Sequence, residues 1–207
     1  SLSLNHLDTK NVICALPYSI AKICTVGVMS GTLICLSMVT NSTEFAMIAL
    51  ADQLYRLGIS VTAPLSQTFL PVMAQGYSRK TYININIIIF VLLCLCITLV
   101  LLNLKYVFIL IGNSELLRNY TDFTLLYIAY GILVCINFVS RSLGYPLGVL
   151  NDRVMHVQVS SYVGFSLFYT CVLFLFMTSN ANSLNILGCF IISELCVLTI
   201  RAVYAVK

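Results

Sequence analysis

Residues 83–104 read ININIIIFVLLCLCITLVLLNL and contain no charged side chain. A helix needs about 20 apolar residues to cross the hydrocarbon core of a bilayer, so this stretch is long enough to do so. A strand of a membrane barrel would instead alternate apolar and polar residues over about 10 positions. Only helices and closed barrels satisfy every backbone group in lipid, so the stretch predicts a transmembrane helix.

Five more apolar runs surround this stretch, and short polar segments separate most of them. They lie at about 12–39, 45–73, 123–139, 157–177 and 184–206, and the third of the six spans is the stretch at 83–104. Short connections favour antiparallel neighbours. We therefore predict an all-α integral membrane protein, in which residues 1–207 form one six-helix transmembrane bundle.

The composition supports the same class of protein. Of the 207 residues, 60% are hydrophobic and 9% are charged, and the mean hydropathy is +0.99. A soluble domain carries about 25% charged residues, because its surface faces water. The composition therefore excludes an ordinary soluble enzyme, a disordered chain and a nucleic-acid-binding protein.

The lysine and arginine residues are distributed unevenly between the two sides of the predicted bundle. Seven fall on the side that holds both termini: Lys10, Arg79, Lys80, Arg141, Arg153, Arg201 and Lys207. Two fall on the opposite side, Lys105 and Arg118, and two more lie within spans. Because cytoplasmic segments carry the excess of positive charge, we expect both termini in the cytoplasm.

Motifs of enzymes and metal sites are missing from the sequence. Its nine cysteines all fall within predicted spans and form no Cys-x-x-Cys pair, so we interpret them as packing residues. Neither a P-loop nor a Gly-x-Ser-x-Gly motif occurs. We therefore expect no catalytic residue, no metal and no cofactor, and a function other than catalysis.

The second span carries the richest set of polar residues. At about 100° per residue, Asp52, Arg56, Ser60 and Gln67 share one stripe of a helix. Such a stripe must face a bundle interior or a wet cavity, because charges in lipid are costly. Asp52 and Arg56 are four residues apart and can pair. The pair is either a structural tie or part of a substrate path in which Arg56 attracts a phosphate or an acidic sugar.

Four further charged residues lie in or beside the other spans. Lys22 either extends to the interface or joins the same cavity. Glu194 and Arg201 are seven residues apart, so they face the same way, and we interpret them as a tie between helices. Arg141 closes the fourth span as an interfacial anchor.

A glycine- and proline-bearing stretch at 143–150 follows the fourth span. Its composition predicts either a broken helix, of the kind that marks binding regions in transporters, or a simple connecting turn.

Residues 44–56, EFAMIALADQLYR, are followed by Pro64-Leu65 and Leu70-Pro71. This run resembles the start of the second half of Wzx-type polysaccharide flippases, where the family shows Glu-Val-Gly-x-Tyr-x-x-Ala and a later Leu/Phe-Pro. Glu44, Ala51 and Pro71 match that pattern, while Ala46 replaces the glycine and Ile48 the tyrosine. The segments 148–153 (GVLNDR) and 192–198 (ISELCVL) are also similar to the family.

The resemblance implies one lobe of a two-lobe transporter of the multidrug/oligosaccharidyl-lipid/polysaccharide exporter superfamily. Such a flippase moves an undecaprenyl-diphosphate-linked oligosaccharide, for instance an O-antigen unit of lipopolysaccharide, across the bacterial inner membrane by alternating access. We expect the partner to be an N-terminal six-helix half of the same protein. On helical placement, Lys22 and Arg56 are the expected head-group contacts, with Asp52, Ser60 and Gln67 beside them.

Two other functions remain open. A cation-coupled multidrug exporter of the same superfamily would use intramembrane acids, of which Asp52 already has a basic neighbour. A membrane enzyme of polysaccharide assembly would carry paired catalytic side chains in long loops, whereas the segment 112–122 holds few such residues.

Overall fold

The computed structural model describes residues 9–74, 79–103, 106, 109, 124–150 and 154–206. In these ranges the chain forms six long helices: α1 (Thr9–Val39), α2 (Ser42–Ala74), α3 (Arg79–Leu102), α4 (Thr124–Leu150), α5 (Val154–Met177) and α6 (Ser183–Val206). The predicted all-α bundle of six helices is confirmed. Five of the helices begin and end within a few residues of the predicted spans.

The fourth helix differs most from its predicted span, which ended at residue 139. α4 continues as a helix to Leu150, so the stretch at 143–150 is neither a broken helix nor a connecting turn. Gly144 has a packing role instead, because a Cβ there would lie 3.1 Å from Cδ and 3.2 Å from Nε of Arg201. The glycine leaves room for the arginine side chain of α6.

The helices pack in an order that differs from their order in the chain. α4 is central and contacts α2, α3, α5 and α6, while α1 packs mainly against α5 and α6. α3 lies at the edge: none of its most apolar stretch is buried, compared with 56% of that of α4. Short connections alone predicted chain neighbours as the main packing partners, but α1 and α2 contact each other little.

Two hydrogen bonds define the two ends of the bundle. Ser183, at the start of α6, donates to Oε1 of Glu44 at the start of α2 (2.8 Å). Tyr82, at the start of α3, donates to the carbonyl of Ser142 in the second half of α4 (2.8 Å). The starts of α2 and α6 therefore lie at one end, and the end at which α1, α3 and α5 begin is the opposite one.

Aromatic and aliphatic side chains fill the centre of the bundle. Tyr55 of α2 packs edge-on against Phe190 of α6 with ring centroids 5.9 Å apart, and Phe168 of α5 packs on the same phenylalanine at 6.2 Å. All three side chains are almost fully buried. This cluster joins α2, α5 and α6.

Five of the described helices are long and apolar enough to cross a membrane, and α2 is not among the five. The described part of α2 carries three charged residues, Glu44, Asp52 and Arg56. A bilayer also accounts for the many large apolar side chains on the outer surface, such as Ile23, Met38, Leu102 and Phe174. The chain is therefore a multi-pass membrane protein.

Candidate functional site

A cavity of about 280 Å³ opens between α1, α4, α5 and α6, and four charged side chains line it. They are Lys22 of α1, Arg141 of α4, and Glu194 and Arg201 of α6. Lys22 lies in the first half of α1, and both arginines lie in the second halves of their helices. The cavity therefore occupies the half of the bundle near the end at which α1 and α5 begin, and cations outnumber acids in its described lining.

Arg201 is held in a cradle of serine oxygens. Its Nε donates to Oγ of Ser160 (3.0 Å) and its Nη2 to Oγ of Ser161 (3.2 Å). Its Nη1 donates to Oγ of Ser140 (3.0 Å) and to the carbonyl of the same residue (3.3 Å). The arginine thus ties α6 to α4 and α5, so the predicted tie between helices exists, but its acceptors are serines. The positive charge is fixed in place by these oxygens, and Arg201 forms no direct ion pair within the described part of the chain.

Glu194 supplies the acidic group of the cavity. Its side chain is 8% exposed, and the charges that act on it are those of Arg201 and Arg141. Asn137 lines the same cavity, and its Oδ1 is buried and has no hydrogen-bond partner among the described residues. The carboxylate therefore lies in a positive environment next to a buried acceptor that lacks a donor.

The sequence suggested that Arg141 anchors at an interface, but in the structure Arg141 lines the cavity. It sits inside α4, nine residues before the end of the helix at Leu150. Among the described residues, the Arg141 guanidinium donates no hydrogen bond. Its donors therefore remain available to a ligand. The planar fork of an arginine suits phosphate and carboxylate groups.

Lys22 is exposed and lines the same cavity as the two arginines. The sequence placed Lys22 either at the interface or in one cavity with the Asp52–Arg56 stripe, whereas the cavity that it lines includes neither Asp52 nor Arg56 in its described lining. A lysine near the opening adds a mobile positive charge to the two arginines. Of the predicted site residues whose side chains the structure describes, Lys22 is the one that lines this cavity.

Asp52 and Arg56 form the ion pair that their spacing predicted, between Arg56 Nε and Asp52 Oδ2. Asp52 is buried, whereas the Arg56 side chain is 44% exposed. Neither residue lines the cavity. The pair therefore marks a second polar region on the outer face of α2, and its contact with a substrate stays a prediction.

The remaining residues of the predicted stripe follow Arg56 along α2. Ser60 is exposed, and its hydroxyl donates to the carbonyl of Leu57 (2.8 Å). Gln67 lies in α2, but its side chain is outside the described part of the chain. The predicted single stripe is thus divided, because Asp52 points inward while Arg56 and Ser60 lie on the outer surface.

Two buried tyrosines, Tyr55 of α2 and Tyr130 of α4, lie near the Asp52–Arg56 pair. The rings of Tyr55 and Tyr130 are 5.9 Å apart, and neither hydroxyl has a hydrogen-bond partner among the described residues. Asp52 acts electrostatically on both tyrosines, and Glu194 and Arg141 act on Tyr55. The two charged regions therefore share one electrostatic neighbourhood across α2 and α4.

The sequence missed the convergence of Arg141, Glu194 and Arg201 on one cavity. One signal was present: each is a charged residue in or beside an apolar run, and such residues face a bundle interior by default. The missing information was the packing of α4 against α6, which no pattern within a single helix reveals. Interpreting Arg141 and Arg201 as ends of spans removed them from consideration.

The arrangement can bind an anion inside the bundle. Positive side chains with free donors attract a phosphate or carboxylate group more strongly in a low-dielectric site than in water. Nothing in the described lining forms a metal cluster.

No protein-family model, no curated protein and no solved structure matches this chain.

Proposed function

We propose that the chain is one lobe of a transporter that moves an undecaprenyl-diphosphate-linked oligosaccharide, such as an O-antigen unit, across the bacterial inner membrane by alternating access. The observation that carries this proposal is the cavity in which Lys22, Arg141 and Arg201 oppose one acid, Glu194. In this proposal the cavity receives the diphosphate, while the lipid tail remains in the bilayer.

The excess of positive charge favours an anionic cargo. Each buried charge in a membrane helix is costly unless it is used or compensated, and one carboxylate does not balance three cations. A diphosphate brings the missing negative charge together with oxygen acceptors for Arg141. A neutral or cationic cargo would leave the charge uncompensated.

The size of the cavity suits the diphosphate of the cargo but not its oligosaccharide. Its volume of about 280 Å³ lies at the lower end of pockets for small ligands, which span about 300–1,000 Å³. A diphosphate group fits a space of this size, whereas an oligosaccharide does not. In this proposal a second lobe encloses the sugar.

The outer face of α2 supports the presence of a second lobe. Gln53, Arg56 and Ser60 are exposed there, in a helix of a membrane protein. An arginine side chain that meets lipid near the middle of a bilayer is strongly unfavourable. This polar face therefore suits a wet seam against an N-terminal half.

Binding of lipids to the purified full-length chain in nanodiscs tests the proposal. We expect saturable binding of undecaprenyl diphosphate, and no competition from uncharged undecaprenol. The double variant Lys22→Gln/Arg141→Gln should weaken binding by about 10-fold or more, since each charged hydrogen bond contributes about 1.5–3 kcal/mol. Lys80→Gln is the matched control, because Lys80 is exposed on α3 and lies outside the cavity.

Three results would count against the proposal. Undecaprenol could bind as well as the diphosphate, or the double variant could bind as tightly as the control. Turnover of a sugar or acyl donor by the chain would instead favour a membrane enzyme.

A second candidate is a cation-coupled exporter, and the burial of Glu194 in the cavity favours it. Export assays in cells can separate the two functions. If Arg56→Ala abolishes export and Asp52→Asn leaves it intact, the flippase is favoured. The reverse pattern, or loss of export of a cationic drug in Glu194→Gln, favours the exporter.

A further inference from the structure

The cavity contains an internal anion in addition to its cations. The Glu194 carboxyl group lines the same cavity as Lys22 and Arg141, and both Arg141 and Arg201 act on it electrostatically. Among the described residues, the direct ion pair is the one between Arg56 and Asp52. Glu194 therefore offsets the positive charge of the cavity without being locked to one partner.

The two arginines differ in their freedom to bind a ligand. Arg201 spends its donors on Ser140, Ser160 and Ser161. Arg141, in contrast, donates no hydrogen bond within the described part of the chain. An incoming anion would therefore contact Arg141 and Lys22, while Arg201 supplies a fixed background charge.

An anion on Arg141 and the Glu194 carboxylate compete for the same positive charge. Two negative groups in one low-dielectric site repel each other, so the charge on either one disfavours the charge on the other. Asn137 is available to either group as a hydrogen-bond acceptor. It is 4% exposed, and its Oδ1 has no donor among the described residues. A protonated Glu194 or a hydroxyl of the ligand could supply that donor.

We propose that Glu194 is an internal competitor that limits the affinity of the cavity for anions and thereby promotes their release. This inference rests on the proposed function, because it requires that the cavity take an anion. It adds the residue that sets how tightly the anion is held. In its ionised form Glu194 weakens binding, and in its neutral form it permits binding.

The other groups that face Glu194 do not replace it in this role. Tyr18 and Lys22 of α1, Arg141 of α4 and Arg201 of α6 share the cavity, and Tyr55 of α2 lies within electrostatic reach. α5 contributes Gln158 and Ser161, which do not titrate, to the lining, and its ionisable His156 stacks on Tyr204 of α6 with ring centroids 3.9 Å apart, outside the described lining. Glu194 is the carboxylate of the described lining, and the part of a pH-dependent anion affinity that Glu194→Gln removes is assigned to it.

The test compares anion affinities of the intact chain and of Glu194→Gln. Inorganic sulfate is the main probe, because it keeps its charge between pH 5 and 8, and pyrophosphate is the second. The affinity is measured from the ligand-dependent increase in thermal stability, which follows the ratio of ligand concentration to Kd. We expect Glu194→Gln to bind both anions about 10-fold more tightly at pH 8, within the 5–150-fold range typical of coupled sites.

A pH series distinguishes charge from shape. Sulfate affinity of the unmodified chain should rise as the pH falls, whereas that of Glu194→Gln should stay constant. Glu194→Asp, which keeps the carboxylate, should retain the pH dependence. These readouts would not move if Glu194 merely packed the helices together.

The possible results separate this inference from the proposed function. If Glu194→Gln binds sulfate no more tightly while Lys22→Gln/Arg141→Gln weakens binding, the internal-competitor role is wrong and the anion site stands. If the unmodified chain and Glu194→Gln both fail to bind either anion, the proposed function and this inference are both wrong. If the Gln variant does not fold, a pH-independent affinity of the unmodified chain alone overturns the inference.

Discussion

At the scale of single residues, Arg201 depends on the planar fork of its guanidinium. Three different nitrogens reach Ser160, Ser140 and Ser161 on two neighbouring helices. A lysine keeps the charge but has a single nitrogen, so it cannot satisfy all of these acceptors. We expect Arg201→Lys to lower the free energy of unfolding by about 2 kcal/mol.

Thermal or denaturant unfolding in detergent, followed by helical circular dichroism, measures this effect. Arg56→Lys is the control, because Arg56 is half-exposed and a lysine four residues after Asp52 can still form the pair. The control should change stability by less than about 0.5 kcal/mol. Equal losses in the two variants would show that the serine cradle contributes nothing specific.

The sequence was sufficient to predict pairs within one helix but not contacts between helices. The spacing of Asp52 and Arg56 fixed their contact, because residues four apart lie on the same helical face. The partners of Arg201 could not be predicted, since Ser140 and Ser160 belong to other helices and serine is common in membrane spans. Lys22 shows the intermediate case: a position beside a cavity could be predicted, but the other residues of that cavity could not, because they belong to α4, α5 and α6.

At the scale of helices, α5 and α6 approach closely at Gly164. A Cβ at this position would clash with Cγ2 of Val197 and would lie 3.6 Å from the carbonyl oxygen of Ser193. Small residues at such crossings let the backbones of membrane helices approach each other. We therefore expect Gly164→Ala to destabilise the bundle by about 1–3 kcal/mol, the usual cost of overpacking.

Gly188 offers a matched control on α6. A Cβ there would meet no atom within 4 Å, so Gly188→Ala should leave stability unchanged or raise it slightly through helix propensity. Both variants are compared in the same unfolding assay in detergent. A loss of stability in Gly188→Ala equal to that in Gly164→Ala would contradict the assigned crossing.

The helices themselves were largely predictable, and the exceptions have physical causes. Long apolar runs fixed α1, α3, α5 and α6, because each run is about as long as the hydrocarbon core of a bilayer is thick. α4 extends past its predicted span to Leu150, and Gly144 within this extension leaves room for Arg201. A glycine in a sequence does not reveal whether it ends a helix or makes room for a neighbour.

At the scale of the whole molecule, the orientation in the membrane still follows from charge. Arg141 and Arg201 line the cavity, so they no longer count as flanking residues. Five flanking cations remain on the side that holds the termini: Lys10, Arg79, Lys80, Arg153 and Lys207. The order of the apolar runs in the sequence assigns Lys105 and Arg118 to the other side. The remaining excess still predicts that both termini face the cytoplasm, and with this orientation we expect the cavity in the cytoplasmic half of the bundle.

Labelling of single cysteines tests this orientation. The nine native cysteines are first replaced by alanine or serine, and Asn180→Cys or Lys80→Cys is then added. Asn180 is exposed between α5 and α6, and Lys80 is exposed at the start of α3. Because these positions lie at opposite ends of the bundle, a membrane-impermeant maleimide added to spheroplasts should label Asn180→Cys and spare Lys80→Cys until the membrane is permeabilised. The opposite pattern would place the cavity on the outer side, where a cargo made in the cytoplasm could not enter it first. Labelling of both positions from outside would contradict the antiparallel arrangement of the spans.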